Sequence, residues 1–123
     1  MERTIVIVVP DLMFQPRIAE AARRLGASVR IAESPASADA ALADAPAATV
    51  VDLHAEGIDA IETVRRASEA GARVLAFGRH TEPATLRAAR DAGAEIVVPR
   101  SQLVEELTAL LRRLLEPREA RAQ

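Results

Sequence analysis

The side chains of this 123-residue chain that could do chemistry tend to follow short apolar runs. Asp11 follows one such run, Asp52 and His54 follow another, and Arg79 and Arg100 follow two more. Carboxylates can hold a cation or pair with a guanidinium group, and an imidazole can ligate a metal or move a proton. What these groups do together depends on whether the fold brings the five side chains to one place.

Composition excludes several kinds of chemistry. The chain has no cysteine and its sixteen basic residues are all arginine, which rules out thiolate nucleophiles, Schiff bases and a P-loop lysine. Its only aromatic residues, Phe14 and Phe77, cannot form a base-stacking platform. The formal net charge is −2 with no basic cluster, so we expect no nucleic-acid partner. His54 and His80 are too few for a structural zinc site.

Apolar, β-branched runs alternate with Ala-, Arg-, Glu- and Leu-rich stretches that have helical spacing. The runs are Ile5–Val9, Ser28–Ala32, Ala48–Val51, Val74–Phe77 and Ile96–Val98. The alternation predicts an α/β protein: a five-stranded parallel sheet between helical layers, a three-layer α/β/α sandwich with five helices. Arg30, in the middle of the second run, indicates an edge strand, which fits the order 2-1-3-4-5 of the flavodoxin-like fold.

Glycine, proline and N-cap residues indicate where the helices begin and end. Gly26, Gly71 and Gly93 each stand between a helical stretch and a strand, where a residue with positive φ ends a helix. Ser34, followed by proline, predicts an N-cap, and Pro16 predicts that the first helix begins near Gln15.

We expect one domain over residues 1–116 and a polar tail over 117–123, with no output domain attached. The first apolar run, Ile5–Val9, is too short for a signal peptide or a membrane span, so we expect no membrane association and a cytoplasmic protein.

In such a sheet, ligands bind at the carboxyl ends of the strands, and the segments that lie there resemble those of a known family. Asp52–Glu62, with Gly57 five residues after the aspartate, resembles the phosphoacceptor segment of bacterial response-regulator receiver domains. Ala76–Arg100 resembles the stretch from the fourth strand of that family to the exit of the fifth. The resemblance covers about residues 4 to 115 and implies the same flavodoxin-like fold, with Asp52 as the phosphoacceptor equivalent.

The resemblance breaks at the other site positions. The acidic pair of the family falls on Val9 and Pro10, and Asp11 lies one residue beyond them. The family's hydroxyl residue falls on Gly78, and its lysine falls on Arg100. The sequence therefore predicts a pseudo-receiver, that is, a receiver-like domain in which most residues of the phosphorylation site are replaced.

A lone carboxylate does not assemble a Mg²⁺ site, so we predict neither a metal nor a cofactor at Asp52. Without a cation, we expect Asp52 to contact Arg100 directly or through one water. Asp52 could instead be an inherited carboxylate that caps a loop, and Asp11 could cap the first helix or bind loop amides.

Three functions remain open. We favour a stand-alone pseudo-receiver, a non-enzymatic signalling module that acts through a protein partner without phosphotransfer. A working receiver would accept a phosphoryl group on Asp52, with Asp11 as a substitute metal ligand. A small-ligand binder of the cobalamin type is suggested only by the pattern Asp52-x-His54-x-x-Gly57, which lacks the companion motifs of that family.

The last helix suggests a self-association surface. It reads as one helix over Leu103–Leu115 whose apolar stripe is wider than one sheet contact requires. We expect a two-fold dimer through the fourth helix, fifth strand and fifth helix; alternatively, the broad stripe packs deeply within the chain's own core. The residues assigned to the dimer interface are Arg87, Arg90, Val104, Leu111 and Leu115.

Overall fold

The structure, a computed structural model, describes residues 3–116, and the predicted polar tail at 117–123 lies outside that range. Within it, no helix is both long and apolar enough to cross a membrane. The elements in chain order are β1 Thr4–Val8, α1 Gln15–Arg24, β2 Ser28–Ile31, α2 Pro35–Ala43, β3 Ala48–Asp52, α3 Ala60–Glu69, β4 Arg73–Gly78, α4 Pro83–Asp91, β5 Ile96–Pro99, α5 Arg100–Glu105 and α6 Leu107–Leu115.

The strands form one parallel sheet in the order β2-β1-β3-β4-β5, which confirms the predicted topology. The edge strand β2 is only half-buried, and its Arg30 forms an ion pair with Asp44. The register opposes Asp52 to Phe77 and Gly78 to Pro99, so the carboxyl ends of β3, β4 and β5 align.

Alternate strand residues face two apolar layers. Ile5 and Ile7 belong to the layer that includes residues of α1, α5 and α6, whereas Val6 and Val8 belong to the layer of α2, α3 and α4. Strands covered on both faces need apolar side chains at nearly every position, and this is why the runs read as continuous apolar sequence.

The predicted helix boundaries are confirmed where the sequence carries a local signal. Gly26, Gly71 and Gly93 follow α1, α3 and α4 with positive φ. Ser34 caps α2 through a reciprocal pair of hydrogen bonds with Ser37.

The predicted final helix is interrupted at Glu106, which divides it into α5 and α6. Glu106 has φ −118° and ψ 26°, outside the helical region, and no proline or glycine marks the break in the sequence. Because α6 packs against both α1 and β4, its wide apolar stripe is buried within the chain. Leu111 and Leu115 are therefore core residues, and their assignment to a dimer interface is wrong.

Arg73, the first residue of β4, holds the end of α6. Its buried guanidinium forms an ion pair with Glu95, at 3.1 Å between Nε and Oε2. It also donates hydrogen bonds to the backbone carbonyls of Arg113 and Glu116. These carbonyls lie at the carboxyl end of a helix, where backbone acceptors lack intrahelical partners, so Arg73 serves as a C-terminal cap supplied by another element.

Candidate functional site

A cavity of about 420 Å³ lies at the carboxyl ends of the strands. Its lining includes all four site residues that the sequence predicted, and also His54, Arg79, Phe77 and Glu56. The four predicted residues are Asp11, Asp52, Gly78 and Arg100. The fold therefore brings together the segments that follow β1, β3, β4 and β5, as the strand order requires.

Asp52, the last residue of β3, points into this cavity with 8% of its surface exposed. Its Oδ1 accepts a hydrogen bond of 2.9 Å from the backbone N–H of His54. Its own carbonyl accepts from the N–H of Ala55, so the residue closes a turn after the strand. The loop-capping interpretation of Asp52 therefore matches its hydrogen bonds.

Asp11 is fully engaged. Its Oδ1 accepts from the backbone N–H groups of Met13 and Phe14 at 2.8 and 3.1 Å, and its Oδ2 accepts from Arg100 at 2.8 Å. The hydrogen bond from Arg100 and then those from Met13 and Phe14 lower the pKa of Asp11 below its ordinary value. Asp11 thus binds loop amides, which is one of the two roles predicted for it from the sequence.

Arg100 pairs with Asp11 and forms no direct ion pair with Asp52 in the part of the chain that the structure describes. The sequence predicted an Asp52–Arg100 contact that is either direct or mediated by one water; the direct form is wrong, and the water-mediated form stays a prediction. The physical reason is Phe14: the Arg100 guanidinium lies over its ring, with Cζ 4.6 Å from the centroid, and this stacking directs the side chain toward the β1–α1 loop. The Phe14 ring meets Phe77 edge-to-face at 5.6 Å between centroids.

His54 fills the space that Gly78 leaves open. A Cβ atom at position 78 would lie 3.0 Å from His54 Nε2, closer than side chains ordinarily approach. Nε2 accepts a hydrogen bond of 3.1 Å from the backbone N–H of Arg79, which places the ring proton on Nδ1. Nδ1 lies 3.8 Å from a carboxylate oxygen of Glu82.

The imidazole therefore bridges the loops after β3 and β4. Sequence reasoning did not foresee this role, and the available signal was the pairing of a glycine at the end of one strand with a histidine just after its neighbour.

The site offers little to a metal ion. Within residues 3–116, no group of three or more acidic, histidine or cysteine side chains converges as ligands would. Val9 is buried, Pro10 lines the cavity without a ligating atom, and the Asp11 carboxylate is taken by amides and Arg100. The Nε2 lone pair of His54 is likewise already used by the N–H of Arg79, which does not favour cobalt ligation.

Of the residues assigned to the dimer surface, Arg87 and Arg90 are exposed on α4, and Val104 is 38% exposed on α5. Val104 lies one helical turn after Arg100, whose side chain faces the β1–α1 loop. The apolar centre predicted for that surface is thus largely missing.

No protein-family model and no curated protein sequence matches this chain. Solved structures do match the chain. The receiver domain of NtrX from Brucella abortus superposes with a TM-score of 0.78 at 22% identity, over 90% of this chain and 97% of that one. A response regulator from Thermotoga maritima gives 0.78 at 17% identity, over 94% and 98%.

A response regulator protein from Burkholderia pseudomallei gives a TM-score of 0.73 at 21% identity, over 99% of this chain and 71% of that one. That structure contains a phosphorylated aspartic acid, a calcium ion and citrate. The chain therefore has the flavodoxin-like fold of response-regulator receiver domains, as the resemblance implied.

Proposed function

We propose that the protein is a pseudo-receiver: a cytoplasmic signalling module that acts through protein–protein contacts and does not transfer phosphoryl groups. The observation that carries the proposal is the engagement of Asp11. It is the only carboxylate at the end of β1, and two amides and the Arg100 guanidinium already occupy its oxygens. Recruiting Asp11 to a cation would require breaking these three bonds.

The remaining parts of the site support the same proposal. Phosphoryl transfer needs a cation and donors placed around the transferred oxygens. At the end of β4, where the fold family has a hydroxyl side chain, this chain has Gly78, and the His54 ring packs into the vacated space. The lone pair of that ring faces the N–H of Arg79, so neither group is free to contact an incoming oxygen.

The test is phosphorylation by a small phosphodonor. The purified protein is incubated with Mg²⁺ and acetyl phosphate, and its intact mass is followed over time beside a receiver known to react. We expect no gain of a phosphoryl group. A gain that is absent from Asp52→Asn would overturn the proposal.

A gain-of-function variant sharpens the test. Pro10 lines the cavity that contains Asp52, so Pro10→Asp adds a carboxylate at one of the two positions that are acidic in receivers. We expect this variant to bind Mg²⁺ more tightly than the natural chain in calorimetry. Pro10→Asn is the matched control because it changes the backbone in the same way without adding charge.

The alternative is a working receiver with Asp52 as acceptor. One observation favours it: Asp52 faces an open cavity and not closed protein. The mass measurement on the wild type and Asp52→Asn decides between the two functions.

Self-association through α4, β5 and α5 stays a prediction. With Leu111 and Leu115 buried, that face offers mainly the exposed Arg87 and Arg90, so a dimer formed there would be held by polar contacts. Light scattering that finds only monomer at ~100 µM would reject a specific dimer, since even weak pairing populates at that concentration.

A further inference from the structure

Asp52 is a buried carboxylate that has no basic partner. Its Oδ1 accepts one hydrogen bond, from the backbone N–H of His54, and its Oδ2 makes no hydrogen bond or ion pair to residues 3–116. Among those residues, the side-chain polar atom that is sealed from solvent without a partner is Thr49 Oγ1. Asp52 Oδ2 is therefore accessible, and it is accessible from the cavity that Asp52 lines. A buried carboxylate is costly unless a positive group balances it.

The two arginines that line the cavity are paired with other carboxylates. Arg100 forms an ion pair with Asp11 at 2.8 Å, and Arg79 forms one with Glu82 at 3.2 Å. Each of these pairs is neutral as a whole. In the part of the chain that the structure describes, no arginine makes a direct ion pair with Asp52. The arginines therefore leave the charge of that carboxylate without a direct partner.

A second carboxylate lies at the exposed side of the same cavity. Glu56 lines the cavity, is exposed to solvent and forms no ion pair with any residue that the structure describes. Because the two arginines are neutralised by their partners, the uncompensated charges of the lining belong to Asp52 at the buried end and Glu56 at the exposed end. Both charges are negative, so the lining attracts a cation.

The shape of the cavity favours an organic cation over a metal ion. Mg²⁺ and Ca²⁺ are held by several oxygens at short range, and no group of three or more acidic, histidine or cysteine side chains converges within residues 3–116. The volume of about 420 Å³ is instead typical of a small-molecule pocket. The lining also includes Pro10, Ala55 and Phe77, which offer apolar surface to a carbon chain.

We propose that the cavity binds an aliphatic diamine: one ammonium group pairs with Asp52 Oδ2, the other pairs with Glu56, and the carbon chain packs against Phe77. An ammonium group has three N–H donors and no acceptor, and it forms charge-assisted hydrogen bonds with carboxylates. The proposal goes beyond the proposed function, because it assigns a small molecule to the site. It rests on the proposed function only in taking Asp52 to be unphosphorylated.

Calorimetry on the full-length protein tests the proposal. The probes are the linear diamines from diaminopropane to diaminohexane, and then the monoamine and the alcohol that match the best diamine in length. We expect saturable binding of the best diamine, binding of the monoamine that is weaker by about threefold, and no binding of the alcohol. Added salt should weaken the binding of the diamine, because it screens the charges at the exposed end of the cavity.

Three variants assign the contacts. Asp52→Asn removes the charge but keeps an oxygen that can accept from the N–H of His54, and it should weaken diamine binding by about tenfold or more. Glu56→Gln should weaken it by about threefold, to the level of the monoamine. Glu69→Gln, an exposed change at the last residue of α3, is the matched control and should bind like the wild type. In NMR titrations of the wild type, the amide resonance of His54 should shift, and circular dichroism confirms that each variant is folded.

Several results would overturn the proposal: no saturable binding of any diamine, a monoamine that binds as tightly as the diamine, or an Asp52→Asn variant with wild-type affinity. Mg²⁺ that displaces the diamine from Asp52 would assign the carboxylate to a metal and overturn it as well. These failures are distinguishable from failure of the proposed function. A phosphoryl gain at Asp52 would reject the pseudo-receiver whatever the unmodified protein binds, whereas absent diamine binding without a phosphoryl gain would reject only the diamine site.

Discussion

Replacing Gly78 with alanine tests whether His54 and Gly78 are energetically coupled. The φ angle of Gly78 is not positive, so the backbone accepts alanine without strain. The added Cβ would lie 3.0 Å from His54 Nε2 and 3.4 Å from side-chain carbons of Leu53 and Leu86. The imidazole must therefore move, and it can do so only by weakening its bond to the N–H of Arg79.

The magnitude follows from two opposing contributions. Overpacking of this kind costs roughly 1–3 kcal/mol, whereas Gly→Ala lowers the entropy of the unfolded chain and returns about 0.4–1 kcal/mol. We expect Gly78→Ala to destabilise the wild type by about 1 to 2 kcal/mol. In a His54→Ala background the nearest obstacle is gone, and the same change should be neutral or stabilising by about 0.5 kcal/mol.

The assay is urea unfolding followed by far-ultraviolet circular dichroism on the wild type, both single variants and the double variant. The coupling energy of this cycle should be roughly 1–2 kcal/mol. Hydrogen exchange adds a local readout, since the amide of Arg79 should exchange faster in both single variants. If Gly78→Ala costs the same free energy in both backgrounds, the imidazole does not occupy the space left by the glycine, and the reasoning fails.

Three further predictions concern stability. Thr49 Oγ1 is buried in β3 without a hydrogen-bond partner, so Thr49→Val should raise the free energy of unfolding by about 1 kcal/mol in urea titrations; a loss of stability would contradict this. Arg73→Met should cost about 2–4 kcal/mol and speed amide exchange in the last turn of α6, and unchanged exchange there would show that Arg73 does not cap the helix. Because the pKa of Asp11 is lowered in the folded state, its carboxylate stabilises the fold above its ordinary pKa of 3.8, and this contribution is lost as pH falls through the folded value. Asp11→Asn should therefore lower the unfolding midpoint at neutral pH and make no difference in strong acid, whereas a gap that persists in acid would assign the effect to something other than charge.

The sheet order was predictable because the local composition of each strand indicates how far that strand is buried. The Arg30 charge marks the edge, and continuous apolar runs mark the strands covered on both faces. The set of side chains at the site followed from strand order alone. The pairing of these side chains did not follow from strand order. Arg100 lies in the same region as two carboxylates, and because its guanidinium stacks on Phe14 it pairs with Asp11. No spacing along the chain encodes that stacking.

The burial of the apolar stripe on the final helix could not be predicted for a similar reason. A helical stripe shows how wide the apolar face is, but the number of neighbours that cover it depends on tertiary packing. Leu111 and Leu115 are buried because α6 meets α1 as well as the sheet, so a stripe that looked too wide for one contact is satisfied by two. The interruption at Glu106 left no mark in the sequence at all.

The edge-to-face pair of Phe14 and Phe77 gives the molecule an optical property of its own. The chain has no tryptophan or tyrosine, so these two rings are its only aromatic chromophores; Phe77 lines the cavity, and Phe14 packs against it. All near-ultraviolet ellipticity of the protein therefore originates at the candidate site. Uniform incorporation of fluorophenylalanine would give two fluorine resonances, both from the same place. A ligand, a partner or a phosphoryl group that binds there can be followed by near-ultraviolet circular dichroism in unlabelled protein, or by fluorine resonances in the labelled protein, with no aromatic signal from the rest of the fold to subtract.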